Sequence, residues 1–389
     1  MSRTGVRNTV LLAGVLCLAA VLTACSRQDA RVEAEAKPAV SEKLETVKPE
    51  FATQFFIETY AGGYKRVHIE GEDEYILTPE GAPENGLGFK NARVIRTPVR
   101  RVYVAASSAM DLFLRLGALD SVAACSTRAD DFANPEIAAR IRSNKIRYVG
   151  KYGAPDYETL LALRCDLALE STMIYHSPKT KEQLQRLVAP AFVERANYEN
   201  EPLGRLEWIK VYGALLGKEA EADAIFEEQR AEVDAIAAKL RARTDRAPKR
   251  VAFFYLASNG CVNVRKPGDY LSKMIETAGG TYALANLKLP NDDALSTVNI
   301  DWEDFYREAV DADVLIYNGS IDSGLSTLDG LVAKNELFKD FKAVKEGNVW
   351  RANMNLYQES SGTARAVADL YAAINGDETR ETTFLERLQ

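Results

Sequence analysis

The chain has 389 residues, enough for two ordinary domains. Its 47% hydrophobic and 27% charged residues are typical of a globular protein and exclude a disordered or membrane-embedded chain. The formal net charge of -7 provides no basic excess for nucleic acid and would be repelled by an anionic bilayer, so any membrane attachment must come from a separate segment.

That segment is predicted at the N-terminus. A cationic start is followed by an apolar run over 10–22, which is shorter than the roughly 20 residues of a membrane-spanning helix. The run ends in Leu22-Thr23-Ala24-Cys25, which resembles the bacterial lipobox, whose cysteine is lipidated. We expect a lipoprotein signal peptide over 1–24, with an ordinary signal peptide as the alternative. Residues 25–50 are rich in Ala, Glu and Lys and predict a flexible tether.

Cysteine and histidine usage argues against a metal site. Beyond the predicted lipidation site, the mature chain holds Cys125, Cys165 and Cys261, without a Cys-x-x-Cys pair. The sequence leaves open whether Cys125 and Cys165 form a disulfide. With His68 and His176 as the two histidines, a bare zinc or manganese site built from several imidazoles is excluded, and we expect neither metal nor cofactor.

Short strands and turns are predicted over 51–98, as an extension leading into a first α/β unit. The strands predicted next are Arg101–Ala106, Ser121–Cys125, Ile146–Val149, Asp166–Glu170 and Pro190–Glu194. The helices that alternate with them are Ala109–Leu116, Asp156–Leu163, Pro178–Leu187 and Leu203–Leu216.

A second unit of the same kind follows a long amphipathic stretch without Gly or Pro. Its predicted strands are Arg250–Leu256, Asp313–Tyr317 and Asn348–Arg351, its helices are Asp269–Ala278, Asp301–Ala309 and Ser361–Ile374, and a loop covers Ser258–Gly268. The fold class is therefore α/β, with two Rossmann-like lobes of mostly parallel sheet joined by one connector helix and a ligand cleft between them. We assign 51–217 to the first lobe, 218–246 to the connector and 247–389 to the second lobe.

Four stretches within about 100–375 resemble the helix-linked solute-binding lipoproteins of ABC importers for iron–siderophore complexes, haem and cobalamin. They are Val102–Leu112 with Leu116–Val122, then Pro155–Leu167, then Trp208–Lys218, then Val298–Phe305 with Ala312–Ile316. Cys165 stands where this family usually has proline. Their order, together with the lipobox, carries the resemblance.

The resemblance implies a monomer, lipid-anchored outside the cytoplasm, that hands its ligand to a permease dimer with ATPase subunits. It also implies that Glu158 and Glu303, one in each lobe, pair with permease arginines, since complementary charge steers docking. The alternative role of each carboxylate is to favour the positive end of a helix. A rigid connector helix would allow only a small closure of the lobes.

Ligand contacts are expected in loops at the carboxyl ends of strands. The candidates are Ser108, Tyr152, Met173, Tyr175, Arg195 and Tyr198 in the first lobe and Asn259, Arg265, Asn318, Asn355 and Tyr357 in the second. Tyr and Arg suit an anionic chelate with aromatic groups. Surface ion pairing is the alternative for Arg195 and Arg265, and His176 is either a haem ligand or a polar loop residue.

The function expected from these observations is capture of a ferric siderophore-type chelate, with haem and cobalamin as alternatives. No Gly-x-Ser-x-Gly elbow, Walker loop or dinucleotide fingerprint follows a predicted strand, so we expect no catalysis. A hydrolase or a surface adhesion lipoprotein is the competing class.

Overall fold

The computed structural model describes residues 42–84, 87–89, 92–243, 247–287, 296–377 and 379–389. The predicted signal peptide, Cys25 and most of the predicted tether lie outside these residues, so lipidation stays a prediction. Within the described residues, no helix is both long and apolar enough to cross a bilayer.

The extension forms a five-stranded sheet of its own. Its strands are β1 (Lys43–Val47), β2 (Phe55–Tyr60), β3 (Lys65–Ile69), β4 (Tyr75–Pro79) and β5 (Arg93–Thr97), in that order across the sheet. Neighbours are antiparallel except β4 and β5. The predicted tether is therefore too long at its C-terminal end, because residues 43–47 pair with β2.

The extension packs directly on the first lobe and shares its hydrophobic core. Phe55 meets the indole of Trp208 with ring centroids 4.9 Å apart, and Val67 and Ile69 are fully buried in the same core. The hydroxyl of Tyr75 donates to the carbonyl of Ala191 at 3.0 Å, at the edge of the first-lobe sheet. The alternating pattern of the extension thus reflects one face buried against the lobe.

The first lobe contains a fully parallel sheet, where the sequence predicts a mostly parallel one. Its strands are β6 (Val102–Val104), β7 (Val122–Cys125), β8 (Arg147–Tyr148), β9 (Leu167–Ser171) and β10 (Ala191–Glu194), in the order β10-β9-β6-β7-β8. Its helices are α1 (Ser107–Arg115), α2 (Pro135–Arg142), α3 (Tyr157–Leu163), α4 (Pro178–Leu187), α5 (Pro202–Glu207) and α6 (Ile209–Leu216). The single helix predicted over 203–216 is divided at Trp208, whose buried indole N–H donates to Glu199.

One 24-residue helix, α7 (Glu219–Ala242), connects the lobes. Its apolar face changes partner along its length: Phe226 and Val233 belong to the first-lobe core, whereas Ile236 belongs to the second. The side chain of Gln229 also accepts the backbone N–H of Ala364 at 3.1 Å. The helix is thus fixed to both lobes by packing.

The second lobe contains a mixed sheet. Its strands are β11 (Lys249–Leu256), β12 (Val262–Arg265), β13 (Gly280–Tyr282), β14 (Thr297–Ile300), β15 (Val314–Asn318), β16 (Val349–Ala352) and β17 (Leu385–Arg387). Its helices are α8 (Tyr270–Thr277), α9 (Trp302–Ala309), α10 (Leu328–Lys334), α11 (Lys342–Lys345), α12 (Asn355–Gln358) and α13 (Thr363–Asn375). The α/β class is confirmed. The central pairs are parallel, and antiparallel strands are added at both edges.

The structure of the second lobe shows that one segment predicted as a loop contains a strand. The segment predicted as a loop over 258–268 contains β12, which forms a hairpin with β11 because Val262 and Val264 are buried in the core.

Cys125 and Cys165 are both buried and both free, so the structure does not form the disulfide that the sequence left open.

Candidate functional site

A cavity of about 560 Å³ lies between the two lobes, where strands of both sheets end. The first lobe lines it with Ser108, Thr172, Met173, Tyr175, His176, Asn197, Tyr198 and Arg205, and the second lobe lines it with Arg265, Tyr270, Ser296 and Tyr357. Six of the eleven predicted ligand residues are in this wall. The cavity volume suits a small ligand, and its wall combines aromatic rings with cationic groups.

A second cavity of about 310 Å³ in the first lobe continues from the cleft and shares Ser108, Met173 and Asn197 with it. Tyr152, also predicted as a ligand residue, lines this cavity together with Lys151. The first-lobe candidates therefore gather at one edge of the parallel sheet, as the strand-end rule predicts.

Arg265 lies in the second-lobe wall, and its guanidinium already has hydrogen-bond and ion-pair partners. Its guanidinium donates to the hydroxyl of Tyr357 and, at 3.3 Å, to Ser296, and it lies 3.7 Å from a carboxylate oxygen of Asp269. Burial alone would lower the pKa of Arg265, but Tyr357 and Asp269 raise it overall, so the group stays charged. Asp269 is the ion-pair partner of this charge; burial raises the pKa of Asp269, and Arg265 opposes that rise.

Arg205 is a cleft cation that sequence reasoning missed. It projects from α5, and its guanidinium carbon lies 3.8 Å from the centroid of the Tyr270 ring, a cation–π contact. No carboxylate among the described residues lies within ion-pair distance of Arg205, and the buried hydroxyl of Tyr270 has no hydrogen-bond partner there either. The search for strand-end loops overlooked this position because it lies inside a helix.

Arg195 lies behind the first-lobe wall rather than in it. Its Nη1 donates to the hydroxyl of Tyr175 at 3.3 Å, its guanidinium carbon lies 4.5 Å from the centroid of Tyr198, and its Nε donates to Gln54 at 3.2 Å. The two tyrosines face the cavity, whereas the arginine supports them. The structure thus places Arg195 one layer behind the cavity wall, whereas the sequence predicted it as a ligand contact.

Three predicted asparagines lie outside the cavity wall. Asn259 is exposed in the β11–β12 turn and accepts the backbone N–H of Cys261 at 3.1 Å. Asn318 is buried at the end of β15 and accepts from Ser320, and buried Asn355 donates to the carbonyl of Thr383. The sequence located the strand ends but did not give the direction of these side chains, which form hydrogen bonds with the surrounding loops.

The two predicted docking carboxylates are both exposed in the first turn of a helix. Glu158 lies in α3, where the side chain of Asp156 caps the helix by accepting the N–H of Thr159 at 3.0 Å. Glu303 occupies the equivalent position in α9, which begins after Asp301. Both positions fit a docking role and also a helix-terminal one.

Comparison with known proteins places this architecture. The model of the periplasmic binding protein family matches residues 102–355. An uncharacterised lipoprotein of Methanocaldococcus jannaschii is 26% identical over 275 residues, which are 69% of this chain and 63% of that relative. Less than two thirds of the relative's length is therefore matched.

Solved structures give the same fold at low sequence identity. A periplasmic haem-binding protein from Pseudomonas aeruginosa has a TM-score of 0.59 and 17% identity, covering 75% of this chain and 98% of that one. A petrobactin-binding protein from Bacillus subtilis has a TM-score of 0.56 and 17% identity, covering 74% and 94%. With two α/β lobes, one connector helix and a cleft between the lobes, the chain belongs to the periplasmic binding protein family, in its helix-linked class.

Proposed function

We propose that this protein is the extracytoplasmic ligand-binding component of an ABC importer, anchored by a lipid on Cys25, and that it captures a ferric siderophore-type chelate. The observation that carries the proposal is the cleft itself, where four tyrosines and two arginines from both lobes face one cavity. Aromatic rings stack on planar chelating groups, and guanidinium groups donate charge-assisted hydrogen bonds to anionic oxygens.

The balance of charge in the cleft favours an anionic ligand. Arg265 has Asp269 within ion-pair distance, whereas Arg205 has no such carboxylate among the described residues and faces the cavity with Tyr270 as its aromatic partner. An anion placed between them would pair with the guanidinium of Arg205. These side chains bind and orient the ligand without catalysing a reaction.

Haem is the second candidate, because His176 lines the same cavity and an imidazole can ligate haem iron. The two ligand classes differ in what they require from the wall: a siderophore chelate needs cations and rings, while haem also needs an axial ligand. Replacement of His176 therefore separates them.

The first test is calorimetric titration of the purified protein with a ferric catecholate, a ferric hydroxamate, haemin and cyanocobalamin. We expect submicromolar binding of one ferric chelate, weakened roughly 10- to 100-fold by Arg205→Ala, because a hydrogen bond to a charged group is worth about 1.5–3 kcal/mol. The exposed Arg142, which pairs with Asp130 on the first-lobe surface, gives a matched control whose replacement by alanine should leave affinity unchanged.

The outcomes of this titration separate the candidates. Tight binding of haemin that His176→Ala abolishes would transfer the assignment to haem, and tight binding of cyanocobalamin alone would transfer it to a corrinoid. Binding of none of the four probes would contradict the proposed ligand class.

We further propose that Glu158 and Glu303 dock the loaded protein on a permease dimer whose ATPase subunits drive release. The double variant Glu158→Lys, Glu303→Lys should abolish uptake by cells and leave calorimetric affinity unchanged, since both side chains are exposed and lie on helices outside the cavity wall. A matched control is Glu182→Lys, Glu346→Lys, which reverses one exposed carboxylate in each lobe outside these two helices. Normal uptake by the first double variant would refute the docking role.

A further inference from the structure

The extension before the first lobe touches the ligand cleft from behind. The family match begins at residue 102, so β1–β5 lie outside it. None of the described residues that line the cleft cavity comes from this sheet. The turn between β3 and β4 nevertheless reaches the back of the first-lobe wall, where it contacts Tyr175 and approaches Arg195.

Glu72, in that turn, makes the decisive contact. Its side chain is only 2% exposed, and its two oxygens accept hydrogen bonds from the hydroxyl of Tyr175 at 2.7 Å and from the ammonium of Lys181 at 2.5 Å. The same ammonium lies 5.8 Å from the centroid of the Tyr175 ring. The hydroxyl of Tyr175 therefore donates its hydrogen bond to the extension, while the ring lines the cavity wall.

A second contact of the extension fixes the arginine beside this tyrosine. Gln54 accepts from Nε of Arg195 at 3.2 Å, and Arg195 in turn donates to Tyr175 and stacks on Tyr198. Gly71 has a φ of +70°, and a Cβ placed there would lie 3.0 Å from Nη1 of Arg195. The turn can approach this closely because residue 71 has no side chain.

The extension is itself held rigidly against the lobe. Two carboxylates of the first lobe, Glu207 and Glu199, accept all five consecutive backbone N–H groups from Glu50 to Gln54. The extension therefore provides fixed acceptors for Tyr175 and Arg195, as a supporting layer behind a binding site requires.

We infer that Glu72 is a positioning residue, through which the extension holds Tyr175 with its hydroxyl bonded outside the cavity and its ring presented to the ligand. Tyr175 then serves as a stacking surface, and its oxygen is not available as a phenolate ligand for a metal. Burial and then Glu72 raise the pKa of Tyr175, which agrees with a phenol kept protonated. This inference rests on the proposed function for its effect on ligand binding, but the position of the side chain is testable without ligand.

The ligand-free test uses the full protein labelled with 3-fluorotyrosine and observed by fluorine NMR. The chain has 17 tyrosines, and Tyr175→Phe identifies the resonance of interest by its loss. We expect Glu72→Ala to shift or broaden that resonance, and Glu72→Gln, which keeps an acceptor oxygen, to restore most of it. The control is Glu80→Ala, which breaks the exposed ion pair between the extension and Arg100. An unchanged Tyr175 resonance in Glu72→Ala would overturn the inference.

The binding arm measures the affinity of whichever of the four calorimetric probes the wild-type protein holds most tightly. Glu72→Ala should weaken it about tenfold, but should have no further effect in a Tyr175→Phe background, because the residue acts through that hydroxyl. Equal losses in both backgrounds would show a merely structural role and contradict the inference. If the wild type binds none of the probes, the proposed function fails while the fluorine experiment still decides the position of Tyr175.

Discussion

Replacing Glu207 with alanine is expected to lower the free energy of unfolding by about 3–5 kcal/mol and to release the extension from the first lobe. The side chain of Glu207 is fully buried, and it accepts the backbone N–H groups of Glu50, Phe51 and Ala52 at 2.8–3.0 Å as well as the ammonium of Lys210 at 3.0 Å. Alanine would leave these donors without an acceptor in a site with little access to water. The loss is large because four donors depend on one carboxylate.

Chemical denaturation and amide hydrogen exchange together check this expectation. Exchange at residues 50–52 should accelerate strongly in Glu207→Ala, while the second-lobe strand β15, which is buried and distant in the fold, keeps its protection. Glu228→Ala removes an exposed helical carboxylate paired with Arg115 and serves as the control, with unchanged stability and exchange. Slow exchange at residues 50–52 in Glu207→Ala would contradict the proposed anchoring.

The same carboxylate makes attachment of the extension sensitive to acid. Burial raises the pKa of Glu207, but the hydrogen bonds from Ala52, Glu50, Phe51 and Lys210 outweigh it, and the pKa in the folded protein lies below its ordinary value. A lowered carboxyl pKa contributes stability above the pKa of the unfolded chain, and that contribution is lost as the pH falls through the folded value. Acid should therefore loosen the extension.

Whether the sequence predicts a feature of this protein depends on whether residues close together in the chain determine that feature. The parallel strands of the first lobe and the connector helix follow from apolar periodicity, which is visible within short windows. Arg205 was missed because it lies inside a helix and because its partner Tyr270 approaches from the other lobe. The role of Glu72 was equally hidden, since 103 residues separate it in the chain from Tyr175. Side-chain direction and long-range partners require the tertiary structure.

The three predicted asparagines and the β11–β12 hairpin also show that a local sequence pattern does not determine tertiary contacts. Asn259, Asn318 and Asn355 do lie near strand ends, but each bonds to its own surroundings outside the cavity wall. The segment containing β12 has Gly and Pro on either side, which favours a loop, yet burial of two valines determines the hairpin. In both cases tertiary packing overrides the local pattern.

Glu170 predicts a pH dependence of stability opposite in sign to that of Glu207. It lies in β9 with no exposed surface, and neither carboxylate oxygen has a hydrogen-bond partner among the described residues. Burial raises its pKa to about 8. The unfolded chain releases this proton near pH 4.5, whereas the folded protein keeps it until about pH 8. Folding stability should therefore fall as the pH rises between these two values.

The size of this effect follows from proton linkage. Between pH 5 and pH 8 the wild-type protein should lose about 3 kcal/mol of unfolding free energy through Glu170 alone. Glu170→Gln removes this contribution, because the amide stays neutral in both states. The difference between the urea-unfolding free energies of variant and wild type, measured at pH 5 and again at pH 8, should therefore grow in favour of the variant. Glu182→Gln, at an exposed position in α4, should show no such growth. A constant difference for Glu170→Gln would mean that this carboxyl is ionised in the folded protein, which its buried and unpartnered position argues against.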